Sequence, residues 1–146
     1  MLSWLADTVI SHTMARLREG DSGPILLLDA RNIRFRFPGQ SSWATEVRNR
    51  DEHARWLARF VETGLELYPD EVIAQGPPWR VTLCVRGRSS LDTEDGRVYG
   101  NRYVIWGRVS WGRLREYEVY EDTQATQELD EYLARRAARR EPASAA

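Results

Sequence analysis

Lysine is missing from this chain altogether: all 21 basic residues are arginine. Every cation is therefore a planar, permanently charged fork suited to pairing with carboxylates. Cysteine occurs once, as Cys84 in the apolar run RVTLCVRG. That excludes a disulfide framework and a cysteine-based metal site, and it reads as a small buried hydrophobe. With only two histidines, and no ligand-spaced histidines or carboxylates in RVTLCVRG or RYVIWGRVSW, no metal site is expected. There is no glycine loop of the GxGxxG or GxxxxGK[ST] kind to cradle phosphate, and no serine-centred nucleophile elbow. Covalent catalysis is not expected. Neither sign of charge dominates: the formal net charge is -1, which lacks the electrostatic footprint of a nucleic-acid binder. No apolar run approaches membrane-spanning length, and MLSWLADTVISHTM lacks the basic region and long apolar run of a signal peptide. The expectation is a cytoplasmic protein with no nucleic-acid and no membrane partner.

What remains is globular. Of 146 residues, 42% are hydrophobic, with six Trp and six Tyr; such aromatics line a cavity or fill a core equally well. Residues 3–19 keep helical spacing through Trp4, Leu5, Val9, Ile10, Thr13 and Leu17, and Gly20 stops them. DSGPILLLDA reads as a short second helix with Pro24 near its first position. In RNIRFRFPG the period changes: Ile33, Phe35 and Phe37 alternate with polar residues, which predicts a strand ended by Pro38 and Gly39. Asn49 and Glu52 have the spacing of a capping box, opening a helix to about Leu67 that buries Trp56, Leu57 and Phe60. Four strands follow, with Asp95-Gly96 centring one hairpin. From about Ala125 the pattern is helical again, with arginines late to suit the helix dipole. Helices first and a meander after predict an α+β fold. The sheet would be a curved, cone-shaped antiparallel one packed on N-terminal helices, with a cavity between sheet and helices. We expect a single domain over residues 1–140 and a flexible tail over 141–146.

The last strand, GRLREYEVYEDTQ, carries four acids, and acids are poor strand residues. Alternation separates Tyr117, Val119 and Glu121 from Glu116, Glu118, Tyr120 and Asp122. On the long strand before it, Asn101 and Tyr103 share parity with Ile105.

Three stretches carry a family likeness: ARLREGDSGPILLLDARNIRFRFPG, RNRDEHARWLARFV and GRLREYEVYEDTQ. Together with the element order, they resemble the nuclear transport factor 2-like superfamily, and within it the SnoaL-like polyketide cyclase and ketosteroid isomerase-like branch. The likeness spans residues 3–124. It implies a small-molecule-binding protein with an aromatic pocket, no cofactor, and a homodimer. The ligand would be a small apolar or polycyclic molecule. Any catalysis would be cofactor-independent acid–base chemistry: a cyclase, isomerase or hydratase, of lyase or hydrolase type. The alternative of a different class is a noncatalytic dimerisation or interaction module of the same fold.

The family's catalytic residues do not transfer. Phe37 stands where the steroid isomerases carry a carboxylate base, Thr13 where they carry a tyrosine, and Ile105 where they carry a protonated acid. Val104 breaks the Arg-x-Asp pattern of the epoxide hydrolases after Arg102. Val119 replaces the acid of the cyclases.

The likeness turns Tyr117, Val119 and Glu121 into the cone, leaving Glu116 and Glu118 outside to meet arginines such as Arg34, Arg36, Arg102 or Arg108. Glu121 is then the leading candidate acid or base, ahead of His12 on the first helix. Asn101, Tyr103 and Tyr117 are candidate polar contacts. Phe37, Trp43, Trp56, Phe60, Ile105 and Val119 are candidate walls. Asp122 is expected to cap the last helix, and His53, in the first turn of its helix, to be solvated.

Overall fold

The computed structural model describes residues 1–141. The expected tail lies outside the described residues from position 142 on. The elements run α1 (Leu2–Arg18), α2 (Gly23–Leu28), β1 (Asp29–Phe37), β2 (Thr45–Val47), α3 (Arg50–Thr63), β3 (Glu66–Gln75), β4 (Val81–Thr93), β5 (Gly96–Ser110), β6 (Arg113–Glu121) and α4 (Thr123–Arg140). The strands form one six-stranded sheet in the order β2-β1-β6-β5-β4-β3, left open at β2 and β3. All neighbours are antiparallel except β1 and β6, which run parallel. The expected curved antiparallel sheet on N-terminal helices is present, with this one parallel pairing making it mixed. Alternation in β1 tells which face is buried, not which way its neighbour runs.

Local signals explain most boundaries. Asn49 caps α3, its side chain accepting from the Glu52 amide at 2.9 Å. The Glu52 carboxylate reaches back to the Arg48 amide at 2.8 Å, one residue earlier than in the usual capping box. Gly64, at φ 87°, ends α3 in the left-handed region. The expected continuation to Leu67 fails there, because β3 has begun by Glu66. β5 and β6 meet in the two-residue turn Trp111-Gly112, at φ 50° and 75°. Asn-Gly is the usual pair in such a turn, so a tryptophan there is held against its backbone preference. The Trp111 amide donates to Pro78 O at 2.7 Å.

Helix α1 crosses β3 and is fastened at both ends. Ser3 Oγ donates to Ala74 O at 3.1 Å and accepts from the Ala74 amide at 3.0 Å. At the other end, Arg18 donates to Leu67 O at 2.6 Å and stacks 4.4 Å from the Tyr68 ring centre. The apolar interior falls into two clusters. One holds Phe35, Phe37, Trp43, Leu57, Phe60 and Leu129; the other holds Met14, Leu83, Val85 and Tyr103. Leu67 and Val119 border both.

Candidate functional site

Between these clusters lies a cavity of about 120 Å³. That is room for several water-sized groups, since one water needs about 10–15 Å³ on this measure. Its walls are almost wholly apolar. β1 supplies Phe35 and Phe37, the following loop Trp43, and α3 Trp56, Leu57 and Phe60. β5 supplies Ile105 and β6 Val119, while α1 contributes Ile10, Met14 and Leu17. Phe37, Trp43 and Phe60 stand as walls around the space and do not fill it.

Polar atoms reach the cavity at few points. β6 presents Tyr117 and Glu121 on the cavity side, four residues apart on the same pleat. Oε1 of Glu121 accepts from Thr126 Oγ1 at 2.8 Å and from Tyr99 Oη at 3.1 Å. Among the described residues nothing donates to its Oε2. Burial raises the carboxyl above the ordinary carboxylate range, with the Asp122 charge adding to the shift and the two hydroxyl donors opposing it. Tyr99 is pushed up to about 12, chiefly by burial and then by the Glu121 charge. Tyr103 is also raised, by burial first, and its hydroxyl donates to Met14 Sδ at 3.3 Å. Ser89 Oγ is buried on this wall beside the Tyr99 hydroxyl, where it opposes the rise of that phenol.

Behind Tyr117 runs a second polar chain. His53 and Asp29 are both wholly buried. The His53 ring bonds Asp29 Oδ2 through Nδ1 at 2.5 Å and Tyr117 Oη through Nε2 at 2.5 Å. The Tyr117 ring stacks on Phe35, with centres 4.4 Å apart and planes 16° apart. Burial, and then the Asp29 charge, raise the Tyr117 phenol well above its ordinary value. An Arg50 guanidinium nitrogen donates to the main-chain oxygen of Asp29, not to its carboxylate.

The structure sorts the sequence candidates plainly. Glu121, Tyr103, Tyr117, Phe37, Trp43, Trp56, Phe60, Ile105 and Val119 all line the cavity. Asn101 does not: it sits behind Tyr99, donating to Tyr99 Oη at 3.0 Å and to Asp122 O at 2.9 Å. His12 is corrected too. It is exposed, and the neighbours Thr13 and Met14 take the buried face. His53 is the reverse correction, buried where solvent was expected. Its helix phase with Leu57 and Phe60, three and four residues apart, is the signal that marks it. Tyr99 was equally readable, two residues before Asn101 on the same parity. Asp29 had no such local mark. Outside the cone, Glu116 pairs with Arg108 at 3.6 Å and Glu118 accepts from the Tyr120 hydroxyl. Asp122 caps α4 through the Gln124 and Ala125 amides at 3.0 and 3.4 Å.

No protein-family profile matches the chain, and no curated protein matches it. Solved structures do. An NTF2-like protein of unknown function from Burkholderia pseudomallei K96243 is similar at TM-score 0.70 and 20% identity, over 84% of this chain and 95% of that one. TerC, co-crystallised with polyporic acid, is similar at TM-score 0.69 and 24% identity, over 85% and 96%. PrhC from Penicillium brasilianum NBRC 6234 is similar at TM-score 0.71 and 14% identity, over 91% and 90%. Identities this low speak for architecture alone, and on that architecture the chain has the nuclear transport factor 2-like fold that its sequence motifs resemble.

Proposed function

We propose that this protein binds a small apolar molecule in the cavity and acts on it by cofactor-independent acid–base chemistry. Cyclisation, isomerisation or hydration of a polycyclic compound are the reaction types that suit it. One observation carries the reading: an otherwise apolar cavity contains a carboxyl, Glu121, whose affinity for a proton is raised by burial. One of its oxygens is held by Tyr99 and Thr126. A carboxyl so placed holds its proton more tightly than an exposed glutamate, which suits it to giving as well as taking one. TerC, a protein of similar fold, was co-crystallised with polyporic acid, which supports the small-molecule reading.

The test has two parts. Native mass spectrometry of the gently purified protein should show a co-purifying small molecule. Once a substrate is identified, Glu121→Gln, which keeps shape and hydrogen bonding, should lower turnover by roughly 100-fold or more. Unchanged turnover would remove Glu121 from the chemistry and favour the noncatalytic module.

A further inference from the structure

The Asp29–His53–Tyr117 chain has no place in the Glu121 chemistry, and stability alone accounts for it poorly. A wholly buried pair of ionisable groups contributes little net stability compared with apolar residues of the same volume. His53 is nonetheless enclosed completely and bonded at both ring nitrogens. Arg50 spends its hydrogen bond on the Asp29 main chain, so the carboxylate is left to the imidazole. Its second oxygen, Oδ1, is buried and accepts nothing among the described residues. The geometry suits one tautomer: Nδ1–H donates to Oδ2, and Nε2 accepts from the Tyr117 hydroxyl. The Tyr117 oxygen then keeps lone pairs for a ligand, and Tyr117 is the one member of the chain that lines the cavity.

We propose that Tyr117 is a second catalytic residue, which takes the proton of an acidic ligand hydroxyl, a phenol or an enol, while passing its own proton to His53. The step balances. The ligand O–H bond breaks and a new Tyr117 O–H forms; the old Tyr117 O–H breaks and an Nε2–H forms. The products are a ligand oxyanion facing a neutral tyrosine hydroxyl, and an imidazolium held by the Asp29 carboxylate. His53 and Asp29 are positioning residues, acting only through Tyr117. The high proton affinity of the phenol fits a conduit that never rests as tyrosinate. Tyr117 and Glu121 lie four residues apart on one strand, about 13 Å along the backbone. A ligand engaging both offers an ionisable hydroxyl to Tyr117 and a second oxygen function to Glu121. The proposal rests on the reading of the cavity as a ligand site.

The experiment uses 4-nitrophenol, whose absorbance reports its ionisation, and protein labelled with 15N in histidine. Binding is followed separately, by quenching of tryptophan fluorescence. In the wild type the bound phenol should be at least about tenfold more ionised than in solution at the same pH. The His53 nitrogen shifts should move to the imidazolium position on binding. Tyr117→Phe should still quench but lose both the colour and the His53 shift. Asp29→Asn, which keeps the shape and removes the charge, should do the same. Binding by the wild type without ionisation or His53 protonation overturns the relay and leaves the cavity reading intact. Ionisation retained in folded Tyr117→Phe also overturns it. No binding by the wild type overturns both. The wild-type readout decides the matter even if a variant fails to fold.

Discussion

Glu118 and Glu121 lie three positions apart in the sequence, and the pleat separates their chemistry. Glu118 sits outside with the Tyr120 hydroxyl on it, whereas Glu121 is drawn in among Tyr99, Thr126 and the aromatic walls. The upward shift of Glu121 makes a prediction about stability. The folded state holds the Glu121 proton more tightly than the unfolded chain, which titrates near the ordinary value of about 4.3. Its favourable contribution is therefore complete below that value and is lost as pH rises through the folded value. Glu121→Gln carries no such loss. Thermal melts should show the variant gaining on the wild type from about pH 4 upward and then levelling off above the folded value. A difference that stays constant with pH would contradict the burial argument. This acid was legible from strand parity together with the family resemblance, which told which face turns inward. His53 was legible in principle, through its spacing with Leu57 and Phe60, but its place in the first turn suggested water. Asp29 was not legible, because its partner lies 24 residues away and only the packing of α3 on β1 brings them together.

At the level of elements, β4 shows how a strand shapes a cavity by omission. Gly87 faces Tyr103 across the β4–β5 pair and lies opposite the irregularity between Pro69 and Glu71 on β3. A Cβ at Gly87 would stand 2.3 Å from Tyr68 O and 2.4 Å from the Tyr103 hydroxyl. The first is backbone and cannot swing aside, and the second belongs to a ring that is only 1% exposed. Gly87→Ala should therefore cost about 1–3 kcal/mol, as overpacked cores do, read as a lower denaturant midpoint. An unchanged midpoint would show that β3 and β4 part more easily than their ladder suggests. Helix and strand identities were readable because each segment keeps one period. The stop of α3 at Gly64 was misread since the apolar residues Leu65 and Leu67 continue past it. They belong to the connection and to β3, and one glycine conformation outweighed the spacing.

Across the whole molecule, the outer face of the sheet exposes several apolar side chains among its charges. Ile73, Val104 and Tyr120 are 49%, 39% and 48% exposed, with Trp106 partly covered beside them. The Arg108–Glu116 pair borders this patch. Apolar groups ringed by complementary charge suit an isologous contact between two copies, as the homodimer expectation holds. Sedimentation should show a dimer at micromolar concentration, and Val104→Arg should return it to monomer with ligand quenching intact. A wild-type monomer would remove the dimer from the proposal. The family resemblance made the cone legible as a whole; it left the β1–β6 direction open, because strand pattern is blind to the sense of a neighbour. That one parallel pairing has a consequence for how the protein is made. β3, β4 and β5 join through neighbouring hairpins and need only local closure, but β1 must wait for Glu116, Tyr117 and Glu118 to pair with Arg34, Phe35 and Arg36. Such distant closure is slow relative to hairpin formation. During synthesis β1 therefore emerges with one edge unpaired, and its outward arginines discourage that edge from taking up a strand of another chain. The cavity has no finished wall until nearly the last helix has left the ribosome.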